Sequence, residues 1–275
     1  MLGVALVFAG AAAMADTGAD TPKRVVSINL CTDQLALMLA DKGQLISVTT
    51  MSQDPRSSAM AEAANTVPAN ASRAEEVFAM NPDLVLAGAY SSYATVQMLQ
   101  RLGVRVEVFK AASSMAEIRT GITRMGAVLG QQDRATEMLA DFDAELARLS
   151  DAPAHRPRAA LYFANGYTTG EATLTGQIVQ AAGFANISSE QGFAAGGFLP
   201  LEKLALTNPD VVITGQPYRG ASRAEAVMRH PVIERLKSRA TMAAITDRDW
   251  VCGTPFVLRA VAEMRDLRLS MEPAK

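Results

Sequence analysis

The chain has 275 residues, of which 49% are hydrophobic and 20% charged, so it holds enough apolar side chains for about two packed domains of roughly 150 residues each. Its 26 basic and 28 acidic residues give a formal net charge of -2, which argues against nucleic acid as a partner. Two cysteines and two histidines, His155 and His230, are too few for a cysteine-based zinc site or a multi-histidine metal site, and we predict neither a bound metal nor a cofactor.

The first element is an apolar run, Leu2–Ala13, and the sequence Ala13-Met14-Ala15 fits the A-x-A pattern of a signal-peptide cleavage site. We therefore predict a signal peptide over residues 1–15 and a mature chain that is soluble in the periplasm. At about 12 residues the run is too short to cross a bilayer as a helix. No Lys or Arg precedes it, so a buried N-terminal helix is the alternative interpretation.

The next elements form the first of two similar halves. Short, branched apolar stretches, typical of buried parallel strands, occur at Arg24–Leu30, Leu45–Thr50 and Val104–Phe109. Residues 81–88, Asn-Pro-Asp-Leu-Val-Leu-Ala-Gly, predict a further strand, which follows an amphipathic helix at Ala74–Met80. Because strands that alternate with helices form parallel sheets, we assign residues 16–114 to an N-terminal α/β lobe.

Residues 115–150 form a linking helical segment that contains no proline. Gly121, Gly126 and Gly130 lie in its first half, whereas the apolar side chains of Gln131–Leu149 fall on one face of a helix. That helix would be roughly 28 Å long, enough to run along two lobes. A single helical connector predicts small hinge motions rather than wide closure.

The last part of the chain, residues 151–275, repeats the pattern of the first half. Residues 208–215, Asn-Pro-Asp-Val-Val-Ile-Thr-Gly, match residues 81–88 and follow an amphipathic stretch at Leu201–Thr207. Arg158–Phe163 corresponds to the first strand of the N-terminal lobe. We therefore predict an α/β fold in which two doubly wound lobes, the second over residues 151–275, are joined by one long helix.

Together, the signal peptide, the doubled Asn-Pro-Asp strands, the linking helix and the start Arg-Val-Val-Ser-Ile-Asn-Leu resemble class III periplasmic substrate-binding proteins. Those proteins serve ABC importers of ferric siderophores, cobalamin and haem. The resemblance implies a monomer that binds a small-molecule metal chelate in a cleft between its lobes and delivers it to an ABC permease in the inner membrane. A cleft at this place agrees with the rule that open parallel sheets bind ligands at the carboxyl ends of their strands.

The motifs of several common enzyme classes are missing, so we predict that the chain is not an enzyme and has no catalytic residue. It contains no G-x-S-x-G, no G-x-x-x-x-G-K-[ST] phosphate loop and no H-E-x-x-H. The glycine-rich stretch Gly192–Gly197 matches no dinucleotide fingerprint, and we interpret it as a flexible cleft loop rather than as a phosphate cradle.

Large amphipathic rings and arginines are concentrated in the loops that follow the predicted strands. A ring with a polar tip suits a bulky chelate, and a guanidinium group binds anionic groups through paired hydrogen bonds. The predicted ligand-binding residues are Arg56, Tyr90, Tyr93, Tyr167, Tyr218, Arg219, Arg223 and Trp250. The arginines favour a ferric siderophore as cargo, with cobalamin or haem as alternatives. We expect Trp250, the only tryptophan, to border the cleft and its fluorescence to be quenched by the ligand.

Two carboxylates occupy equivalent positions in the repeat. Glu75 lies seven residues before Pro82, and Glu202 lies seven residues before Pro209. In the resembling family, one glutamate on each lobe pairs with arginines of the permease, and the resemblance implies this docking role for Glu75 and Glu202. The structural alternative is a capping box formed by Ser72 and Glu75, together with a favourable first-turn position for Glu202.

The two cysteines, Cys31 and Cys252, are both expected near strand ends that face the cleft. An exported protein with two cysteines often pairs them, because the periplasm is oxidising. A bond would limit opening of the lobes, which is an argument against it. Two buried thiols, or a soft ligand to a metal or haem, are the alternatives.

Overall fold

The computed structural model describes residues 21–217 and 222–271. The predicted signal peptide over residues 1–15 and the predicted ligand residues Tyr218 and Arg219 lie outside the described residues. Within the described ranges, the chain folds into two α/β lobes, as the sequence predicts.

The first lobe is built on a five-stranded sheet whose strands are all parallel, in the order β3-β2-β1-β4-β5. Its strands are β1 (Val25–Ser27), β2 (Leu45–Thr49), β3 (Ala69–Asn70), β4 (Leu84–Gly88) and β5 (Val106–Phe109). Its helices are α1 (Leu30–Leu39), α2 (Ala61–Ala64), α3 (Ala74–Ala79) and α4 (Tyr93–Arg101). The central strands β1 and β4 are buried along their whole length, which explains their continuous apolar sequence.

The linking segment contains two helices, α5 (Met115–Leu129) and α6 (Gln132–Leu149). Gly130, in the left-handed conformation (φ 72°), ends α5. The helices are antiparallel, because Arg119 Nε of α5 contacts Asp143 Oδ1 of α6 at 2.5 Å across the turn. The helix predicted over Gln131–Leu149 is confirmed as α6, and the glycine-containing stretch before it is a second helix that packs against it.

The second lobe contains a four-stranded parallel sheet, in the order β11-β10-β6-β8, and a small antiparallel pair, β7 and β9. Its strands are β6 (Arg158–Leu161), β7 (Tyr167–Thr168), β8 (Ala185–Asn186), β9 (Gly197–Phe198), β10 (Val211–Gly215) and β11 (Thr241–Ile245). Its helices are α7 (Leu174–Ala181), α8 (Ile187–Glu190), α9 (Leu201–Thr207), α10 (Pro231–Lys237) and α11 (Val257–Met271).

The Asn-Pro-Asp repeat forms the same hydrogen-bonded turn in both lobes. Asn81 and Asn208 both have a left-handed backbone (φ 47° and 48°), which turns the chain out of the preceding helix. The next carboxylate then accepts a hydrogen bond from the backbone at the start of the first strand: Asp83 Oδ1 from Arg24 N at 3.0 Å, and Asp210 Oδ2 from Arg158 N at 2.7 Å. The repeat therefore fixes the strands β4 and β10 beside β1 and β6.

One hydrophobic core extends through both lobes. Leu84 of the first sheet and Leu161 of the second belong to the same cluster of buried side chains, with Ile118 of α5, Phe142 of α6 and Val261 of α11. Because α6 packs between α5 and α11, the lobes share a continuous packed interior. This packing agrees with the predicted rigid connection.

Candidate ligand-binding cleft

The carboxyl ends of the strands in the two lobes meet through a disulfide. Cys31 lies at the start of α1, just after β1, and Cys252 lies in the loop after β11. Their sulfur atoms are bonded, and their Cα atoms are 5.1 Å apart, within the usual range for such a bridge. The bond therefore links the first lobe covalently to the second at the strand ends, and neither cysteine is a free metal ligand in the structure.

A second tie between the lobes is made by Arg56, which lies in the loop after β2. Its Nη2 donates to the carbonyl oxygen of Gln216 at 2.5 Å, and its Nη1 donates to that of Pro217 at 3.0 Å. Gln216 and Pro217 directly follow β10 in the second lobe. The guanidinium group predicted to bind an anionic ligand is thus engaged by backbone carbonyl groups across the cleft.

Three of the predicted rings are exposed at the strand ends. Tyr90 and Tyr93, in the loop after β4 and at the start of α4, are 87% and 78% exposed. Tyr167 of β7 is 40% exposed and makes an edge-to-face contact with Phe198 of β9, with ring centroids 5.7 Å apart. Side chains of this size that remain this exposed provide a surface for an apolar ligand.

Phe198 is a further exposed ring that is not among the predicted ligand-binding residues, although the glycine-rich loop before it is predicted at the cleft. Phe198 is 67% exposed, and the apolar side chains of Met51 and Val251 are each 56% exposed. All three follow or end strands on the cleft side of their lobes. The signal that could have found Phe198 is an isolated aromatic residue directly after a glycine pair.

The first lobe's rings reach the second lobe at a small cavity. Tyr90, Phe109 and Cys31 of the first lobe line it together with Val251 and Gly253 of the second, and its volume is about 100 Å³. A Cβ atom at Gly253 would lie 2.4 Å from the Cβ of Ala112, so this close approach requires glycine. Tyr90 and Val251 therefore face the same space between the lobes.

Trp250 does not border the cleft, and this prediction was wrong. The side chain is 4% exposed and belongs to the core shared by the lobes. The residue lies two positions before Cys252, whose position is fixed by the disulfide, and the ring is directed inward while its neighbour Val251 is exposed. Arg223, by contrast, is exposed, at the start of a short 3-10 segment.

A polar cluster is buried beneath the strand ends of the first lobe. Asp33 of α1 is fully buried and its Oδ2 accepts hydrogen bonds from the backbone nitrogen (3.1 Å) and the hydroxyl (2.5 Å) of Thr49 at the end of β2. Burial raises the pKa of the Asp33 carboxyl to about 6, against the lowering effect of these hydrogen bonds. Since the group has no contact with solvent, its role is to hold the loop after β2 and not to touch a ligand.

Comparison with known proteins decides the family. The family model described as periplasmic binding protein matches residues 25–243. The chain belongs to this family. The predicted family resemblance and the α/β fold are therefore confirmed.

Relatives of this periplasmic binding protein differ in the ligands they are named for. A cobalamin-binding protein of Halobacterium salinarum is 28% identical over 199 residues, which are 70% of this chain and 54% of that protein. The chain thus spans about half the length of this curated relative. An uncharacterized ABC transporter substrate-binding lipoprotein of Bacillus subtilis, YvrC, is 22% identical over 234 residues, 78% of this chain and 72% of that protein.

Among solved structures, the haem-binding protein HutB of Vibrio cholerae is 19% identical, with a TM-score of 0.74 over 89% of this chain and 98% of HutB. At this identity, the likeness establishes the fold alone. Within the ranges that the structure describes, no helix has both the length and the apolar content needed to cross a membrane, and no three histidine, cysteine or carboxylate side chains are grouped as metal ligands would be.

The two glutamates of the repeat lie at matching places in this periplasmic binding protein. Glu75 is in the first turn of α3 and Glu202 in the first turn of α9, and both are exposed. The capping box predicted for Ser72 and Glu75 does not form, because Ser72 has a left-handed backbone (φ 58°) and Arg73 is the N-cap. Instead, Glu76 accepts a hydrogen bond from Ala71 N at 2.9 Å, which leaves Glu75 directed to solvent.

Proposed function

We propose that this protein is the periplasmic substrate-binding component of an ABC importer, that it acts as a soluble monomer, and that its cargo is a corrinoid such as cobalamin. The observation that carries the choice of cargo is the set of exposed rings at the strand ends of both lobes. A corrin ring is a broad, largely apolar plate with polar edges, and rings with hydroxyl tips can contact both parts.

The state of Arg56 supports a corrinoid over the ferric siderophore favoured by the sequence. A siderophore with several anionic groups would need free cationic side chains in the cleft. Arg56 donates to two carbonyl groups of the other lobe, so an anionic ligand would have to displace those bonds. The siderophore remains the alternative cargo, with Arg223, which is exposed, as a candidate arginine for it. The curated relative named for cobalamin also agrees with the corrinoid.

Isothermal titration of the purified protein with cobalamin, haem and a panel of ferric siderophores tests the cargo. We expect saturable, one-to-one binding of cobalamin, and we expect Tyr90→Ala to weaken it about fivefold, because a stacked ring contributes roughly 1 kcal/mol. The matched control is Phe78→Ala, which removes an exposed ring on α3, away from the cleft. Binding of a siderophore and not of cobalamin would overturn the choice of cargo.

We further propose that Glu75 and Glu202 dock the loaded protein onto arginines of the permease. Support comes from their equivalent positions in the repeat and from their exposure on short helices, which aims both carboxylates outward. An exposed carboxylate loses little hydration free energy when it pairs with a cation, and such a pair contributes little affinity. Two such pairs can therefore position a protein without binding it permanently.

The double variant Glu75→Ala, Glu202→Ala tests docking. We expect cobalamin uptake by cells to fall at least tenfold while the affinity for cobalamin in solution is unchanged. The control is Asp133→Ala, Glu137→Ala, which removes two exposed carboxylates from α6. Unchanged uptake would contradict docking, and lost cobalamin binding would show that the glutamates belong to the cleft.

A further inference from the structure

A cavity lies within the second lobe, among the residues that the structure describes. Its volume is about 580 Å³, within the range of roughly 300–1,000 Å³ that small-molecule sites occupy. It is enclosed by the strand ends of β10 and β11, the segment Ala224–Arg229 and helix α10. None of the residues described in the first lobe lines it. It is therefore distinct from the surface formed by the exposed rings.

The lining of this cavity combines an apolar floor with charged groups. Phe163, Met228, Ile233 and Met242 provide the apolar side chains, and methionines adapt their shape to a flat ring. The charged lining residues are Arg229, Lys237, Glu225 and Asp247. Such a combination suits a ligand that is aromatic at one end and carries a phosphate and hydroxyl groups at the other.

The cavity lies next to the contact that Arg56 makes between the lobes. Gln216 and Pro217, whose carbonyl groups accept the hydrogen bonds of Arg56, also line the cavity. Phe163, on its floor, is hydrogen-bonded through its backbone nitrogen to the carbonyl oxygen of Tyr167 at 2.8 Å. Gln216 and Pro217 therefore belong both to the lining of the cavity and to the contact between the lobes.

We propose that this cavity binds the nucleotide side group of a corrinoid, with the base among Phe163, Met228 and Met242 and the phosphate facing Arg229. The corrin ring itself would then lie on the exposed rings of the cleft. This inference rests on the proposed function, because the side group is part of the proposed cargo. It would explain how the protein distinguishes corrinoids that carry the nucleotide from corrinoids that lack it.

The test compares cobalamin with cobinamide, which has the same corrin ring and lacks the nucleotide. We expect the native protein to bind cobalamin at least tenfold more tightly than cobinamide in isothermal titrations. Ala164→Phe, which fills the cavity from its lining, should weaken cobalamin to the level of cobinamide. Arg229→Gln should weaken cobalamin by a smaller factor, about threefold to tenfold, since one charge-assisted hydrogen bond is lost.

Matched controls distinguish filling of the cavity from general disturbance of the lobe. Ala226→Phe adds the same ring at an exposed position of the segment Ala224–Arg229, and Arg235→Gln removes an exposed charge from α10. Neither residue lines the cavity, so both variants should bind cobalamin like the native protein.

The outcomes separate this inference from the proposed function. Equal affinities for cobalamin and cobinamide, with Ala164→Phe without effect on either, would overturn the inference and leave the corrinoid cargo standing. Binding of neither corrinoid by the native protein would overturn the cargo. A third measurement uses adenosine monophosphate as a competitor. If Ala164→Phe abolishes the binding of adenosine monophosphate but leaves the binding of cobalamin unchanged, the cavity binds free nucleotides and the inference is wrong.

Discussion

At the scale of single residues, the cleft depends on side chains that are held by distant parts of the chain. Arg56 is fixed by two carbonyl groups that lie 160 and 161 residues later in the sequence. Trp250 is buried in the core shared by the lobes, two residues before the disulfide-bonded Cys252. Loop position alone predicts neither fact, because the acceptors of Arg56 lie in the other lobe and Trp250 belongs to a core to which both lobes contribute.

The buried carboxyl group of Asp33 gives a pH-dependent contribution to stability. Its pKa is about 6 in the folded protein and lies near 3.8 in the unfolded chain. Below pH 3.8 both states are protonated; as the pH rises to 6, only the unfolded state loses the proton. The free energy of unfolding therefore falls by about 3 kcal/mol over that interval, and the loss is complete above pH 6.

We expect Asp33→Asn to flatten that dependence. Urea unfolding between pH 4 and pH 7 should show a smaller decrease in stability for the variant than for the native protein, by up to about 3 kcal/mol. The control is Asp54→Asn. The pKa of the exposed Asp54 carboxyl is lowered, chiefly by a hydrogen bond from the backbone of Arg56, so this carboxyl changes the stability with the opposite sign and at lower pH. Parallel curves for Asp33→Asn and the native protein would contradict the assignment.

At the scale of elements, the antiparallel pair α5 and α6 depends on one close approach. A Cβ atom at Gly126 would lie 2.4 Å from the Cβ of Ala135 and 3.0 Å from the carbonyl oxygen of Gln131. The glycine therefore lets the two helices pack directly against each other, where any side chain would push them apart.

Two glycine substitutions in the same helix should have opposite effects. Gly126→Ala should lower the free energy of unfolding by about 1–3 kcal/mol, because the new methyl group overfills the contact with Ala135. Gly121→Ala meets only Leu35 Cδ1, at 4.0 Å, and should raise stability by up to about 1 kcal/mol through its better helix propensity. Thermal and urea unfolding of both variants measure this difference; equal effects would contradict the close packing.

The sequence predicts most elements and misses those created by tertiary contacts. Most residues of β4 and β10 are apolar because most of each strand is buried, and the Asn-Pro-Asp repeat identifies both strands. The pair β7 and β9 has two residues per strand and no periodicity to detect. In the same way, the glycines of residues 115–130 lower the local helix propensity, and the packing of α6 against this stretch favours the helix α5.

At the scale of the whole molecule, a shared core and two ties limit motion between the lobes. Buried side chains of both sheets belong to one cluster around α6, and the disulfide and Arg56 join the strand ends on the cleft side. The proposed ligand would therefore enter a cleft whose shape is largely formed in advance, which lowers the ordering cost of binding.

Removal of the disulfide should destabilise the molecule as a whole. The bond joins residues separated by 221 positions, and we expect Cys31→Ser, Cys252→Ser to lower the free energy of unfolding by about 2–5 kcal/mol. Urea unfolding measures the loss, and reduction of the native protein should reproduce it. Intact mass after alkylation without reductant is the control: two alkylated thiols in the native protein would contradict the bond.

The same bond also turns most of the backbone into a closed covalent ring. Among the elements that the structure describes, β1 and the start of α1 precede Cys31 and α11 follows Cys252, so almost all of these elements lie on the ring. A protease that cuts one surface loop, such as the loop after β3, where Ala71 and Arg73 are exposed, opens the ring without dividing the molecule. A nicked protein should thus keep its full mass on a non-reducing gel and separate into two fragments only when reductant is added, so one cleavage event in an oxidising compartment leaves both lobes of the binding protein together.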